Sequence, residues 1–173
     1  PMQLMSAMPP AAAVPARNAP GIDQNTGNAA RMPAAARVRA IKAMVAMDEK
    51  AARKAARDAE NAVMRGDDLG ILHGLPIGVK DLQETAGLRT THGSLIYKDH
   101  VPKQDNAMVA RVRFEGGIIL GKTITPEFGA GANTKNRVYG ATGNPFDPEK
   151  TSAGSSGGSA AALAVGQVPL ATG

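Results

Sequence analysis

Two short segments of the 173-residue chain combine residue types that can do chemistry. The first is Ala153-Gly154-Ser155-Ser156-Gly157-Gly158-Ser159, which runs into an alanine-rich stretch. Glycines there let backbone N–H groups approach a partner closely, and a helix start adds unsatisfied donors and the positive end of a dipole. Such a loop can hold an anion, hold serine hydroxyls in a fixed position, or serve as a plain linker or helix cap. No lysine follows at the spacing of a Walker loop, and Gly-Ser-Ser-Gly is not the G-x-S-x-G of a nucleophile elbow. The second is Lys80, which ends the apolar run Gly74-Leu75-Pro76-Ile77-Gly78-Val79 and precedes Asp81. Burial disfavours an ammonium, so a lysine closing a buried strand can lose its proton and act as a base. Alternatively it reaches solvent or pairs with Asp81. Lys122 closes a similar run in Gly121-Lys122-Thr123 and is read as structural. His73, His92 and His100 show no H-x-x-x-H spacing and read as loop or surface residues, so no metal ligand set is assigned.

The elements that must position these residues follow from periodicity and punctuation. Six of the twelve prolines fall within residues 1–33, and no helical or alternating period runs through residues 1–32, which read as irregular or disordered. Val38, Ile41 and Val45 suggest a short helix leading into the apolar piece Ala43–Met47. Asp48 is an N-cap for a longer helix that carries Ala52, Ala56, Ala59 and Val63 as its apolar stripe and ends at Gly66. Leu75–Lys80 predicts a buried strand, and Asp105 caps a helix through Glu115. Ile118–Leu120 predicts a strand stopped by Gly121, Ala160–Val165 a helix, and Val168–Ala171 a last strand. Strands alternating with helices predict an α/β fold with parallel pairs, one domain over residues 33–173.

Composition narrows the function classes. There is no cysteine, which excludes disulfides, thiolate nucleophiles and Cys-ligated metal sites. The net charge is +5, and residues 31–66 carry the whole excess, with nine Lys or Arg against four Asp or Glu. On a helix this reads as a solvated face rather than a nucleic-acid patch. Aromatics make up 3% of the chain with no tryptophan, too few for base-stacking platforms. No apolar run reaches the roughly 18 residues a membrane span needs. A cytoplasmic location, with neither nucleic acid nor membrane as partner, is the expectation.

Taken together, Gly74-Leu75-Pro76-Ile77-Gly78-Val79-Lys80-Asp81 and Gly154-Ser155-Ser156-Gly157-Gly158-Ser159-Ala160-Ala161 resemble the amidase signature family. Gly121-Lys122-Thr123-Ile124-Thr125-Pro126-Glu127-Phe128 and Gly143-Asn144-Pro145-Phe146-Asp147-Pro148 resemble that family's connecting segments, in the family's order. The resemblance covers roughly Ala43 to Gly173. It implies a mixed β-sheet core flanked by helices and a Ser–cis-Ser–Lys triad that hydrolyses a small-molecule carboxylic amide to acid and ammonia, with no cofactor. Lys80 matches the basic lysine, Ser155 the middle serine after a cis peptide at Gly154, and Ser156 a supporting serine. The family's nucleophile lies in a T-D-x-G-G-S segment, expected roughly six residues after Gly173. On this reading the chain is the N-terminal portion of the domain and lacks the nucleophile and the oxyanion amides. The resemblance leaves open the glutamine-hydrolysing component of an amidotransferase, its A subunit, and a non-catalytic fragment whose Gly/Ser loop binds anions. It also leaves room for a homodimer of the full-length protein.

Overall fold

A computed structural model describes residues 41–147 and 149–173. The irregular segment expected at 1–32 lies outside the described residues, and so does Val38 of the expected first helix. Val45, expected in that helix, instead belongs to strand β1 (Met44–Val45).

Helix α1 (Glu49–Arg65) has the ends its sequence predicts. The Asp48 carboxylate accepts from Ala51 N at 2.9 Å, and Gly66 closes the helix at φ 73°, where its N–H reaches back to the last turn. Its buried side differs from the predicted stripe. Ala52 is buried and Ala55, Ala59 and Ala62 are half-buried, while Ala56 and Val63 are exposed. Alanines occur almost all round this helix, so small apolar side chains alone do not single out a face.

Strand β2 (Pro76–Lys80) is followed by a long loop, then helix α2 (Ala107–Phe114) and strand β3 (Ile118–Thr123). Asn106, not Asp105, caps α2: its side chain accepts from Val109 N at 2.9 Å. The Asp105 carboxylate is used elsewhere, accepting from Ala86 N at 2.7 Å and Arg113 Nε at 2.9 Å. Gly121 does not stop β3. The strand runs on through Lys122 and Thr123, and its register against β2 skips one residue between Ile119 and Gly121, which makes a bulge. A Cβ at Gly121 would stand 2.7 Å from Met47 Cγ, so the glycine admits the β1 segment alongside.

A small antiparallel pair, β4 (Lys135–Asn136) and β5 (Gly140–Ala141), precedes helix α3 (Gly157–Ala164) and strand β6 (Leu170–Ala171). The main sheet is mixed, in the order β1-β3-β2-β6, with β2 parallel to both neighbours and β1 antiparallel at the edge. Alternation along β2 divides the core. Ile77 and Val79 pack with Val109 of α2, whereas Gly78 faces Thr123, Val168 and Ala171. Ala161 and Ala162 of α3 complete a second cluster with Ile41, Ala43 and Val168. No helix among the described residues is long and apolar enough to cross a membrane.

Candidate active site

Strands β2, β3 and β6 run the same way, so their carboxyl ends lie on one edge of the sheet, the edge where open α/β sheets bind ligands. Lys80 is the last residue of β2, paired with Thr123, the last of β3. The strand on its other side delivers Thr172, whose Oγ1 accepts from Lys80 N at 2.8 Å. Ser159 of α3 ties the ends together, bonding Thr123 Oγ1 at 2.7 Å and donating to Thr172 O at 2.6 Å.

The Lys80 side chain is 5% exposed and reaches the start of α3. Its Nζ lies 2.9 Å from Ser155 Oγ and 2.8 Å from Ser156 Oγ. Burial pushes the ammonium below the ordinary lysine range. Among the described residues no carboxylate forms an ion pair with it. Asp81 is directed to the other face by strand alternation, where Thr91 N (3.0 Å) and Thr91 Oγ1 (2.5 Å) donate to its carboxylate. Lys122 is on that second face, as its pairing with Val79 requires. It is fully buried and braces the loop after β2 by donating to the Gln83 carbonyl and, at 2.9 Å, to Thr85 Oγ1. Burial lowers its pKa to about 8 against the opposing pull of Asp81. Burial raises the Asp81 carboxyl, although Thr91 and Lys122 act the other way. The two lysines thus differ in kind: Lys80 meets two serine hydroxyls at the sheet edge, whereas Lys122 is tied to the loop after β2 and feels the charge of Asp81.

The second half of the Gly/Ser run, Gly157–Ser159, forms the first turn of α3, which begins at Gly157 rather than Ala160. Ser156 occupies the N-cap position, yet its hydroxyl makes no capping bond. It is turned to Lys80 instead. The Gly154–Ser155 peptide bond is cis, and the Ser155 carbonyl accepts from Thr125 Oγ1 at 3.2 Å. Thr134 holds the other side of the turn: its hydroxyl donates to Ala153 O at 2.7 Å and accepts from Gly157 N at 3.0 Å. The glycines serve close approach to the chain's own backbone. A Cβ on Gly157 would collide with Thr134 Oγ1 and Ser152 Oγ, and one on Gly158 with the backbone of Ile124.

The amidase family profile matches residues 29–173. This chain belongs to the amidase signature family. Among curated relatives, it is 43% identical over 133 residues to the A subunit of glutamyl-tRNA(Gln) amidotransferase from Bacillus pumilus (strain SAFR-032), covering 77% of this chain and 27% of that one. It is 39% identical over the same length to the protein of that name from Carboxydothermus hydrogenoformans (strain ATCC BAA-161 / DSM 6008 / Z-2901), with the same coverage. Among solved structures, a bacterial aryl acylamidase of the amidase signature family superposes with a TM-score of 0.74 at 33% identity, over 79% of this chain and 29% of that chain. The 6-aminohexanoate cyclic dimer hydrolase gives 0.69 at 31%, over 81% and 29%. The chain therefore spans about a quarter of the length of the curated relatives it matches.

Within this amidase-family domain the structure brings Lys80, Ser155 and Ser156 together. It also gathers residues that sequence spacing leaves apart. His92 and His100, read as separate loop residues, both reach Glu84, with Nε2 atoms 2.8 and 3.0 Å from its two carboxylate oxygens. His73 is separate from them, its Nε2 3.0 Å from Ala59 O. No local signal marks the Glu84 cluster, because each of its members sits in a loop without a period.

Proposed function

We propose that this chain supplies Lys80 and Ser155 as two members of a Ser–cis-Ser–Lys proton relay for hydrolysis of a carboxylic amide. A buried lysine amine, held by two serine hydroxyls and, among the described residues, unopposed by a carboxylate, carries the reading. When Lys80 is neutral, its lone pair accepts the Ser155 proton as Ser155 takes one from a nucleophilic serine. That serine attacks the amide carbonyl, and the proton stored on Lys80 returns through Ser155 to the leaving nitrogen, releasing ammonia. Water then hydrolyses the acyl-serine by the same relay. On this reading the nucleophile and the oxyanion donors lie outside residues 1–173. In support, Gly173 is close to the site: a Cβ on it would stand 3.5 Å from Ser156 Oγ. Ser156 keeps the amine aimed at Ser155, and Gly154 gives the turn the room it needs.

Kinetics of a polypeptide of the relatives' length that carries this chain test the proposal. Lys80→Met and Ser155→Ala should each lower kcat by about 10²–10⁴-fold, the usual worth of a positioned base. Lys80→Arg should not rescue, because a guanidinium keeps its proton. An arginine variant with near-parental kcat would reject the base role. The likeness to the amidotransferase relatives favours a second reading, in which glutamine is the amide and the chain works beside other subunits. Ammonia release from glutamine but not from simple aliphatic or aryl amides would select it.

A further inference from the structure

We propose that Glu84, His92 and His100 form a zinc-binding site, separate from the Lys80 relay and independent of the proposed function. The three ligands come from the one loop that follows β2, and their donor atoms all lie within 4.8 Å of one another. Tetrahedral zinc with bonds of roughly 2.0–2.2 Å needs donors about 3.4 Å apart. The distances here, from 2.8 Å upward, bracket that value, so small rotations of three side chains admit the ion.

The backbone already fixes the loop in this arrangement. Thr90 N donates to His100 O at 3.0 Å, and His100 N to Tyr97 O at 2.9 Å. Phe128 N donates to His92 O at 2.7 Å. The Tyr97 ring packs edge-on against both imidazoles, at 5.1 Å from His92 and 5.7 Å from His100. Each imidazole presents Nε2 to the carboxylate as a donor, and zinc would take the place of that proton, with the ligating tautomer carrying its proton on Nδ1. Two imidazoles and one carboxylate suit zinc and its neighbours in the divalent series rather than calcium or magnesium, which take oxygen ligands. The Glu84 and His100 side chains are each 37% exposed, leaving room for a water as fourth ligand. Bound zinc would staple Glu84 to His100 across the loop that carries Thr91, the partner of Asp81.

The alternative is a hydrogen-bonded triad without a metal, and titration of the purified protein with zinc chloride separates the two. After EDTA treatment and dialysis, calorimetry should show one zinc per chain. His92→Ala and His100→Ala should each weaken binding at least 10-fold, while His73→Ala leaves it unchanged. X-ray absorption of the zinc-loaded parent should show outer-shell scattering from two imidazole rings, a readout that needs no variant to fold. No stoichiometric zinc uptake, parental affinity in the His92→Ala/His100→Ala double variant, or a zinc spectrum without imidazole scattering would each overturn the assignment.

Discussion

Replacing Gly158 by alanine should damage catalysis as well as stability. Gly158 lies in the first turn of α3, pressed against the chain just beyond β3. A methyl there would stand 3.0 Å from Ile124 Cα and closer still to the Ile124 N and O atoms. Non-bonded contacts of this kind prefer about 3.5–4.0 Å, so something must retreat by about 1 Å or more. Ile124 cannot easily move: it is fully buried, and its N–H is held by Ala43 O at 3.1 Å. The start of α3 moves instead, and Ser155 and Ser156 move with it. Their contacts with Lys80, now 2.9 and 2.8 Å, would open beyond hydrogen-bond distance. Overpacking costs about 1–3 kcal/mol, while exchanging glycine for alanine in a helix returns up to about 1 kcal/mol. Net destabilisation of about 0–3 kcal/mol follows. A 1 Å misplacement of a catalytic group costs about 10²-fold in rate. Thermal unfolding and steady-state kinetics on one amide, measured on parent and Gly158→Ala at the relatives' full length, give both numbers. A variant with parental kcat would show that α3 is not held against Ile124 as argued.

Three further outcomes follow from the buried Lys122 and the helix cap. Lys122→Met should cost about 1–3 kcal/mol in denaturant unfolding, because it takes the donor away from the Gln83 carbonyl and the Thr85 hydroxyl in the loop after β2. With its pKa lowered to about 8, Lys122 binds fewer protons in the folded chain than in the unfolded one between about pH 8 and the unperturbed lysine value of about 10.4. Parental stability should therefore rise with pH across that window relative to Lys122→Met, and a flat difference would contradict the burial argument. Gly66→Ala should lower stability by about 1–2 kcal/mol, all of it backbone strain at φ 73°, since nothing lies within 4 Å of the added methyl.

What can be read from sequence depends on whether the information is local. The ends of α1 are legible because Asp48 and Gly66 act on backbone groups within one turn. The end of β2 is legible because an apolar run closed by lysine needs no partner to be recognised. Gly121, Gly157 and Gly158 instead read as punctuation, a strand stop and a loop before a helix, and the structure overturns that. In each case the missing information is what stands behind the chain. Gly66 is needed for its φ, whereas Gly121, Gly157 and Gly158 are needed for space beside Met47, Thr134 and Ile124. Sequence writes both needs with the same letter. The Glu84, His92 and His100 cluster is hidden for a related reason: its geometry is set by the Thr90–His100 and Phe128–His92 backbone bonds, which no spacing rule encodes. Close packing links these observations to function. Because Gly158 lets α3 press against the chain just beyond β3, the turn that enters the helix brings two serine hydroxyls to the lysine at the neighbouring strand's end. The Gly/Ser run is therefore better read as a docking surface for its own sheet than as a flexible loop, and substitutions that add volume there should act on the relay as well as on the fold.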